Sequence, residues 1–242
     1  MSKKIAAFDI DGTLFRWQLY HELAFELKKR GVFDTETAQR FDTILTSWKK
    51  RSISWHEYEQ ELFGKFESHL ANISPEELKD AAADVLTKSS DKVYRYTQQL
   101  AHSLKADGYK LIAITASHQE IAEPFALQHG FDVCIGRQSE EIDGAYTGSI
   151  SRDTYGQKAA LLEQYVTEHD LTFAGSVAVG DSASDISMLE IVEHPIAFNP
   201  NDELFARASE KNWEIVIERK NIAYTLQKDT NGPYLLAKTD SF

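Results

Sequence analysis

Asp9 and Asp11 stand two residues apart in the run Ile5-Ala-Ala-Phe-Asp-Ile-Asp-Gly-Thr-Leu14. In an extended backbone that spacing sends both carboxylates to the same side. Two carboxylates this close, beside an apolar strand, repel one another and are costly to bury without a cation. A hard divalent ion with oxygen ligands, Mg2+, fits that need. The competing explanation for a lone Asp-x-Asp-Gly is the start of a turn, where Asp-Gly is common.

Three further segments decide between them. Thr115 closes the apolar run Lys110-Leu-Ile-Ala-Ile114, Lys158 sits in the first turns of a helical segment, and Gly180-Asp-Ser-Ala-Ser-Asp185 follows Ser176-Val-Ala-Val179. Singly, Thr115 reads as a helix cap, Lys158 as a solvated lysine and Gly180-Asp181 as a strand-to-helix turn. Together they put Asp9, Asp11, Thr115 and Asp181 at the carboxyl ends of three expected strands, which is where open α/β sheets bind ligands.

These groups suit phosphoryl transfer. A phosphate monoester brings about two negative charges near neutral pH, so an attacking carboxylate needs a metal ion and cationic or hydrogen-bonding groups around it. Asp9 is the candidate nucleophile, dividing one hard displacement into two through an aspartyl-phosphate. Asp11 is placed to protonate the leaving alkoxide and then to deprotonate water. The Thr115 hydroxyl and the N–H groups after it, at an expected helix start, suit an anion. Lys158 supplies a point charge for the phosphoryl oxygens. Asp181 completes the metal site, with Asp185 ligating through water or orienting the shell. His118 reads as a helix-start residue.

The elements that must carry these side chains follow from pattern. Ile5 to Phe8 is too short for a helix and reads as a buried central strand. Segments at about 17–30, 35–50, 54–70 and 74–88 have helical spacing, the last opening on Ser74-Pro75-Glu76-Glu77 as a capping box. Four helices without a strand predict a helical bundle inserted after strand one, with Trp17, Tyr20, Trp48, Trp55, Tyr58, Phe63 and Phe66 as its core. From about 91 the α/β alternation resumes. It comprises a helix to Gly108, the 110–114 strand, a helix capped by Ser117 and bent or shortened at Pro124, and a strand at Phe131–Ile135. A hairpin at Asp143-Gly144, a helix from about Thr154, the 176–179 strand and a helix over 186–192 follow. A strand at 195–198, a helix over about 202–211 and a strand at 213–217 close the core. The last 25 or so residues, with Asn231-Gly232-Pro233, read as a surface arm.

Composition narrows the class. The 242 residues are 42% hydrophobic and carry a formal net charge of -12, which argues against a nucleic-acid scaffold and against docking on anionic membrane. One cysteine, Cys134, excludes an intramolecular disulfide and a cysteine metal cage. No apolar stretch approaches spanning length and no signal-peptide pattern is seen, so a cytoplasmic location is expected.

Asp9-Ile-Asp-Gly-Thr13, then Thr115, then Lys158, then Gly180-Asp-Ser-Ala-Ser-Asp185 resembles the four ordered motifs of the haloacid dehalogenase (HAD) superfamily, over roughly residues 5–217. The helical insert resembles a C1-type cap, and the element order resembles subfamily IB, which contains phosphoserine phosphatases. The resemblance implies a Rossmann-like three-layer α/β sandwich with a mostly parallel sheet. The core would be 1–15 and 90–242, and the helical cap 16–89. It implies Asp9 as nucleophile, Asp11 as acid/base, and Mg2+ on Asp9, the Asp11 carbonyl and Asp181. It also implies phosphate contacts from Thr115, the Ala116 amide and Lys158. Gln18 stands where phosphoserine phosphatases place the Glu that holds the serine ammonium, with Glu22 a turn later. Arg51 lies in the region of their carboxylate-binding Arg, and Ser184 replaces their usual Asn. The expected activity is hydrolysis of a small phosphomonoester, phosphoserine or a similar amino-alcohol phosphate among the candidates. A phosphotransferase using the same intermediate and a receiver-like phosphoacceptor module are the alternatives.

Overall fold

The structure is a computed structural model and describes residues 3–229 and 232–242. Strand β1 (Lys4–Phe8) lies inside a sheet whose order is β4-β3-β2-β1-β5-β6-β7-β8-β9. The other strands are β2 (Lys110–His118), β3 (Val133–Ile142), β4 (Ala145–Arg152), β5 (Thr172–Gly180) and β6 (His194–Phe198), followed by β7 (Glu214–Arg219), β8 (Ile222–Lys228) and β9 (Tyr234–Ser241). The run from β3 to β7 is parallel, and the β3–β4, β7–β8 and β8–β9 pairs are antiparallel. The chain is a mixed α/β protein with a mostly parallel, Rossmann-like sheet.

Strand β1 is short and apolar because both its faces are covered. Ala6 and Phe8 join one apolar cluster, Ile5 and Ala7 the other, and all four are fully buried. Alternation with period two divides them between the faces. Parallel pairing to β2 on one side and β5 on the other brings the carboxyl ends of three strands together.

Helices α1 (Leu19–Lys29), α2 (Thr35–Lys49), α3 (Trp55–His69) and α4 (Pro75–Ser89) follow β1. Asp34 accepts from the Thr37 N–H, Ser54 and Glu57 form a reciprocal capping box, and Ser74 accepts from the Glu77 N–H with Pro75 at the first helical position. Their apolar faces do not close a separate core: Leu23, Tyr58 and Phe66 share one cluster with Phe8 and Phe131 of the sheet region. Tyr20, Tyr58 and Phe66 are buried, whereas Trp17, Trp48, Trp55 and Phe63 are half-buried against that cluster.

The remaining helices are α5 (Arg95–Ala106), α6 (Gln119–Gln128), α7 (Lys158–Glu168), α8 (Ile186–Glu190) and α9 (Asp202–Lys211). Three local expectations are corrected. Strand β2 runs on to His118, so Ser117 is a strand residue and α6 starts without a side-chain cap; Pro124 lies inside α6, which continues to Gln128. Helix α7 begins at Lys158 and not near Thr154, whose hydroxyl donates to the Thr115 carbonyl at 2.8 Å. The C-terminal segment is no loose arm: β8 and β9 extend the sheet, with Ala223 and Thr225 buried. A half-buried antiparallel edge alternates apolar and polar residues weakly, which is why its pattern reads as irregular. Asn231 of the expected turn lies outside the described residues. Among the described residues, no helix is long and apolar enough to cross a membrane.

Candidate active site

Asp9 follows the last residue of β1, and its N–H donates to the Val179 carbonyl of β5 at 2.9 Å. The chain then folds back on itself: the Gly12 N–H donates to the Phe15 and Trp17 carbonyls, and the Phe15 N–H to that of Ile10. Gly12 has φ +84°, and a Cβ there would fall on the Asp181 carboxylate. A residue with a side chain therefore meets both backbone strain and a collision. Gly12→Ala is expected to cost about 1–3 kcal/mol of stability and to displace Asp181. Thermal unfolding and phosphate release measured on one preparation check both effects.

Lys158, at the start of α7, reaches across to Asp9 and Asp185. Its Nζ donates to Asp9 Oδ1 at 2.7 Å and to Asp185 Oδ1 at 2.6 Å, and all three residues are buried. The turn after β5 is closed by Asp185, whose Oδ2 accepts from the Asp181 and Ser182 N–H groups at 3.0 Å each. Thr13 Oγ1 donates to Asp181 Oδ1 at 3.4 Å. One oxygen from each of Asp9, Asp181 and Asp185 lies within 4.8 Å of the others.

Asp11 points to the other side of this group. Its Oδ1 accepts from the Leu19 N–H at 2.5 Å, and its Oδ2 accepts from Thr115 Oγ1 at 2.6 Å and from Ser117 Oγ at 2.7 Å. Ala116 lies between those two residues and is half-buried. Ser117 was legible only as an expected helix cap, yet its hydroxyl both grips Asp11 and accepts from the Tyr20 N–H at 3.2 Å. The signal that finds it is its place two residues beyond Thr115 in a strand, which aims both hydroxyls the same way. His118 is fully buried and pairs with Glu67 of α3 at 2.7 Å.

Electrostatics follow from burial. Desolvation raises the Asp9 carboxyl, Lys158 opposes the rise, and Asp185 and Asp11 add to it. Asp181 is raised by burial first, then by Asp9 and Asp185. Burial also raises Asp11, against hydrogen bonds from Thr115, Leu19 and Ser117 that favour its anion. Desolvation works against the charge on Lys158, but Asp185 and Asp9 outweigh it and hold the ammonium protonated. Facing this group from α3, Glu59 is pushed up to about 7 by burial and by Asp11.

A divalent cation fits these residues. Asp9, Asp181 and Asp185 cluster beside one ammonium, which bonds two of them, and Asp9 Oδ2 is buried without any hydrogen-bond partner. Clustered buried carboxylates of this kind are the oxygen donor set that a hard divalent cation takes.

A family model described as haloacid dehalogenase-like hydrolase matches residues 6–190. A histidinol-phosphatase of Neisseria meningitidis is 27% identical over 223 residues, covering 88% of this chain and 98% of its own. A phosphoserine phosphatase of Archaeoglobus fulgidus is 28% identical over 211 residues, covering 84% of this chain and 54% of its own. A crystal structure of a protein of unknown function from Bordetella pertussis superposes with a TM-score of 0.73 at 23% identity. It covers 90% of this chain and 99% of that one, a likeness of fold.

Proposed function

The chain belongs to the haloacid dehalogenase-like hydrolases, and from that premise we propose that it is a Mg2+-dependent phosphomonoesterase acting through an aspartyl-phosphate on Asp9. The observation that carries this reading is the division of labour within one carboxylate. Asp9 Oδ1 is fixed by Lys158, while the buried Oδ2 has no hydrogen-bond partner. An oxygen left free in that way is what an attacking nucleophile requires.

Asp9 and Asp181 are the side chains that would hold the ion, with the main-chain carbonyl of Asp11 as a further ligand, and Asp185, whose oxygens accept from Lys158 and from two N–H groups, would ligate through water or orient that shell. When bound, Mg2+ offsets the carboxylate charge and polarises the phosphoryl oxygens. Asp9 attacks phosphorus and the P–O bond to the alcohol breaks. Asp11, whose proton is favoured by burial, donates it to the departing alkoxide and then takes one from the water that cleaves the acyl phosphate. Lys158 orients the Asp9 carboxylate and balances the phosphoryl charge. The Thr115 hydroxyl and the Ala116 N–H are assigned the remaining phosphoryl oxygens. Residues 16–89 act as the cap that covers the leaving group, and 1–15 with 90–242 as the catalytic core. The names of the two relatives, a histidinol-phosphatase and a phosphoserine phosphatase, support a small amino-alcohol phosphate as substrate.

The test is phosphate release from a panel of phosphomonoesters with and without Mg2+: histidinol phosphate, phosphoserine, sugar phosphates, nucleotides and an aryl phosphate. Turnover that EDTA abolishes and Mg2+ restores is the expected result. Stable phosphorylation of the protein by a small phosphodonor, with no release from any ester, would overturn hydrolysis in favour of phosphotransfer or signalling.

A further inference from the structure

Glu59 lies in the second turn of α3 and is half-buried. Its Oε1 accepts from the Tyr20 hydroxyl at 3.5 Å, and the neighbouring Trp55 side chain favours its anion. At the other end of Tyr20, the N–H donates to Ser117 Oγ, which donates to Asp11 Oδ2. One tyrosine therefore spans the interval from the assigned general acid to Glu59. None of the ion pairs among the described residues includes Glu59. The charged group acting on it is Asp11, which has the same sign.

The surroundings are aromatic and carry unsatisfied polar atoms. His21 is fully buried with neither ring nitrogen hydrogen-bonded, and it packs 4.2 Å from Tyr20, 5.4 Å from Trp55 and 5.1 Å from Tyr58 between ring centres. The Tyr58 hydroxyl is likewise buried without a partner. Burial lowers the His21 imidazole to about 3, so His21 supplies no positive charge to offset Glu59.

We propose that Glu59, Tyr20 and Trp55 form a subsite for an organic cation on the leaving alcohol. The substrate is then a phosphomonoester that carries an ammonium or similar cation, and no carboxylate, at the end away from phosphorus. The proposal rests on the phosphatase reading above and names its substrate class. A carboxylate between Glu59 and Asp11 would meet two like charges, while a cation gains a charge-assisted bond and the faces of electron-rich rings. Arg137, the cation packed 5.0 Å from the Phe63 ring on the same helix, is already taken by Glu67 at 3.5 Å and Asp153 at 2.5 Å. Its charge is thus shared between two carboxylates, although its buried Nε has no hydrogen-bond partner.

The experiment compares kcat/KM for aminopropyl phosphate and butyl phosphate, a pair of similar shape differing in the cation, in the native chain and in Glu59→Gln and Glu59→Ala. Both substrates use the same reacting groups, so their ratio cancels losses from misfolding. The native chain is expected to prefer the cationic ester, with phosphoserine poorer than it. The variants are expected to lower the cationic-to-neutral ratio about 10- to 100-fold, mainly through KM. An unchanged ratio in both variants, or no native preference for the cation, overturns the proposal. If neither ester is hydrolysed the phosphatase reading fails first, and calorimetric titration with histidinol then reads the subsite alone. Binding weakened at least about tenfold by Glu59→Gln upholds it, and equal or absent binding in native and variant chains overturns it.

Discussion

Asp9→Asn is expected to lower kcat at least about 10^4-fold while leaving the unfolding midpoint unchanged or raised. The loss follows from chemistry: an amide oxygen cannot take the place of the nucleophilic carboxylate, and no other carboxylate among the assigned residues has a free buried oxygen in its position. Asp11 is held by Leu19, Thr115 and Ser117, and Asp185 by Lys158 and two N–H groups. The stability expectation follows from charge. Asn retains an oxygen that can accept from Lys158, whose ammonium keeps Asp185 as its partner. The repulsion between Asp9 and its neighbours Asp181, Asp185 and Asp11 is removed. Phosphate release and thermal unfolding in the absence of metal check the two halves separately. Activity within a few-fold of the native chain would sink the nucleophile assignment. A much lower midpoint would show that Asp9 is chiefly a partner for Lys158.

Lys158→Met has the largest expected effect on stability. It removes the one ammonium bonded to Asp9 and Asp185 and leaves both carboxylates buried. Breaking a buried pair from one side costs about 3–5 kcal/mol, which for a chain of this size lowers the midpoint by roughly 10 °C. The loss depends on pH with a definite sign. Asp9 and Asp181 are raised above their ordinary 3.8 by burial. A carboxyl raised in the folded state contributes stability that is complete below its unfolded value and is lost as pH rises through the raised one. The metal-free protein is therefore expected to weaken as pH climbs above 3.8. Without Lys158, which opposes the rise at both residues, the weakening is steeper. Mg2+ binds the ionised cluster, so its stabilisation is expected to be larger at about pH 8 than at about pH 5. Melting curves for the native chain and Lys158→Met, each with and without Mg2+, test this. A midpoint independent of both lysine and metal would remove the electrostatic basis of the site.

Strand β1 was legible because its cause is local. Four apolar residues ending at an acidic pair and a glycine admit little but a buried strand with a loop beyond it. The α/β alternation was legible for the same reason, as was the helical run between Leu19 and Ser89, whose cap at Ser74 is written in neighbouring residues. Errors came where neighbours gave the wrong lead. Ser117-His-Gln-Glu120 has the form of a capping box, but pairing of His118 with Arg137 keeps the chain in the sheet. Residues 222–241 have little alternation of their own and become strands because β7 offers them an edge.

By itself the sequence determined which residue types could do phosphoryl chemistry, and that three of the segments carrying them are followed or preceded by strands. Only the tertiary structure decided how these groups meet. Lys158 touches Asp9 across 149 positions of chain, Ser117 and Leu19 hold Asp11, and the field of Asp11 reaches Glu59 on α3. The physical reason is that local propensity depends on a few adjacent residues, whereas these contacts depend on strand order and register and on how helices pack over the sheet. A motif names the reactive groups; the sheet order β2-β1-β5 is what makes them neighbours.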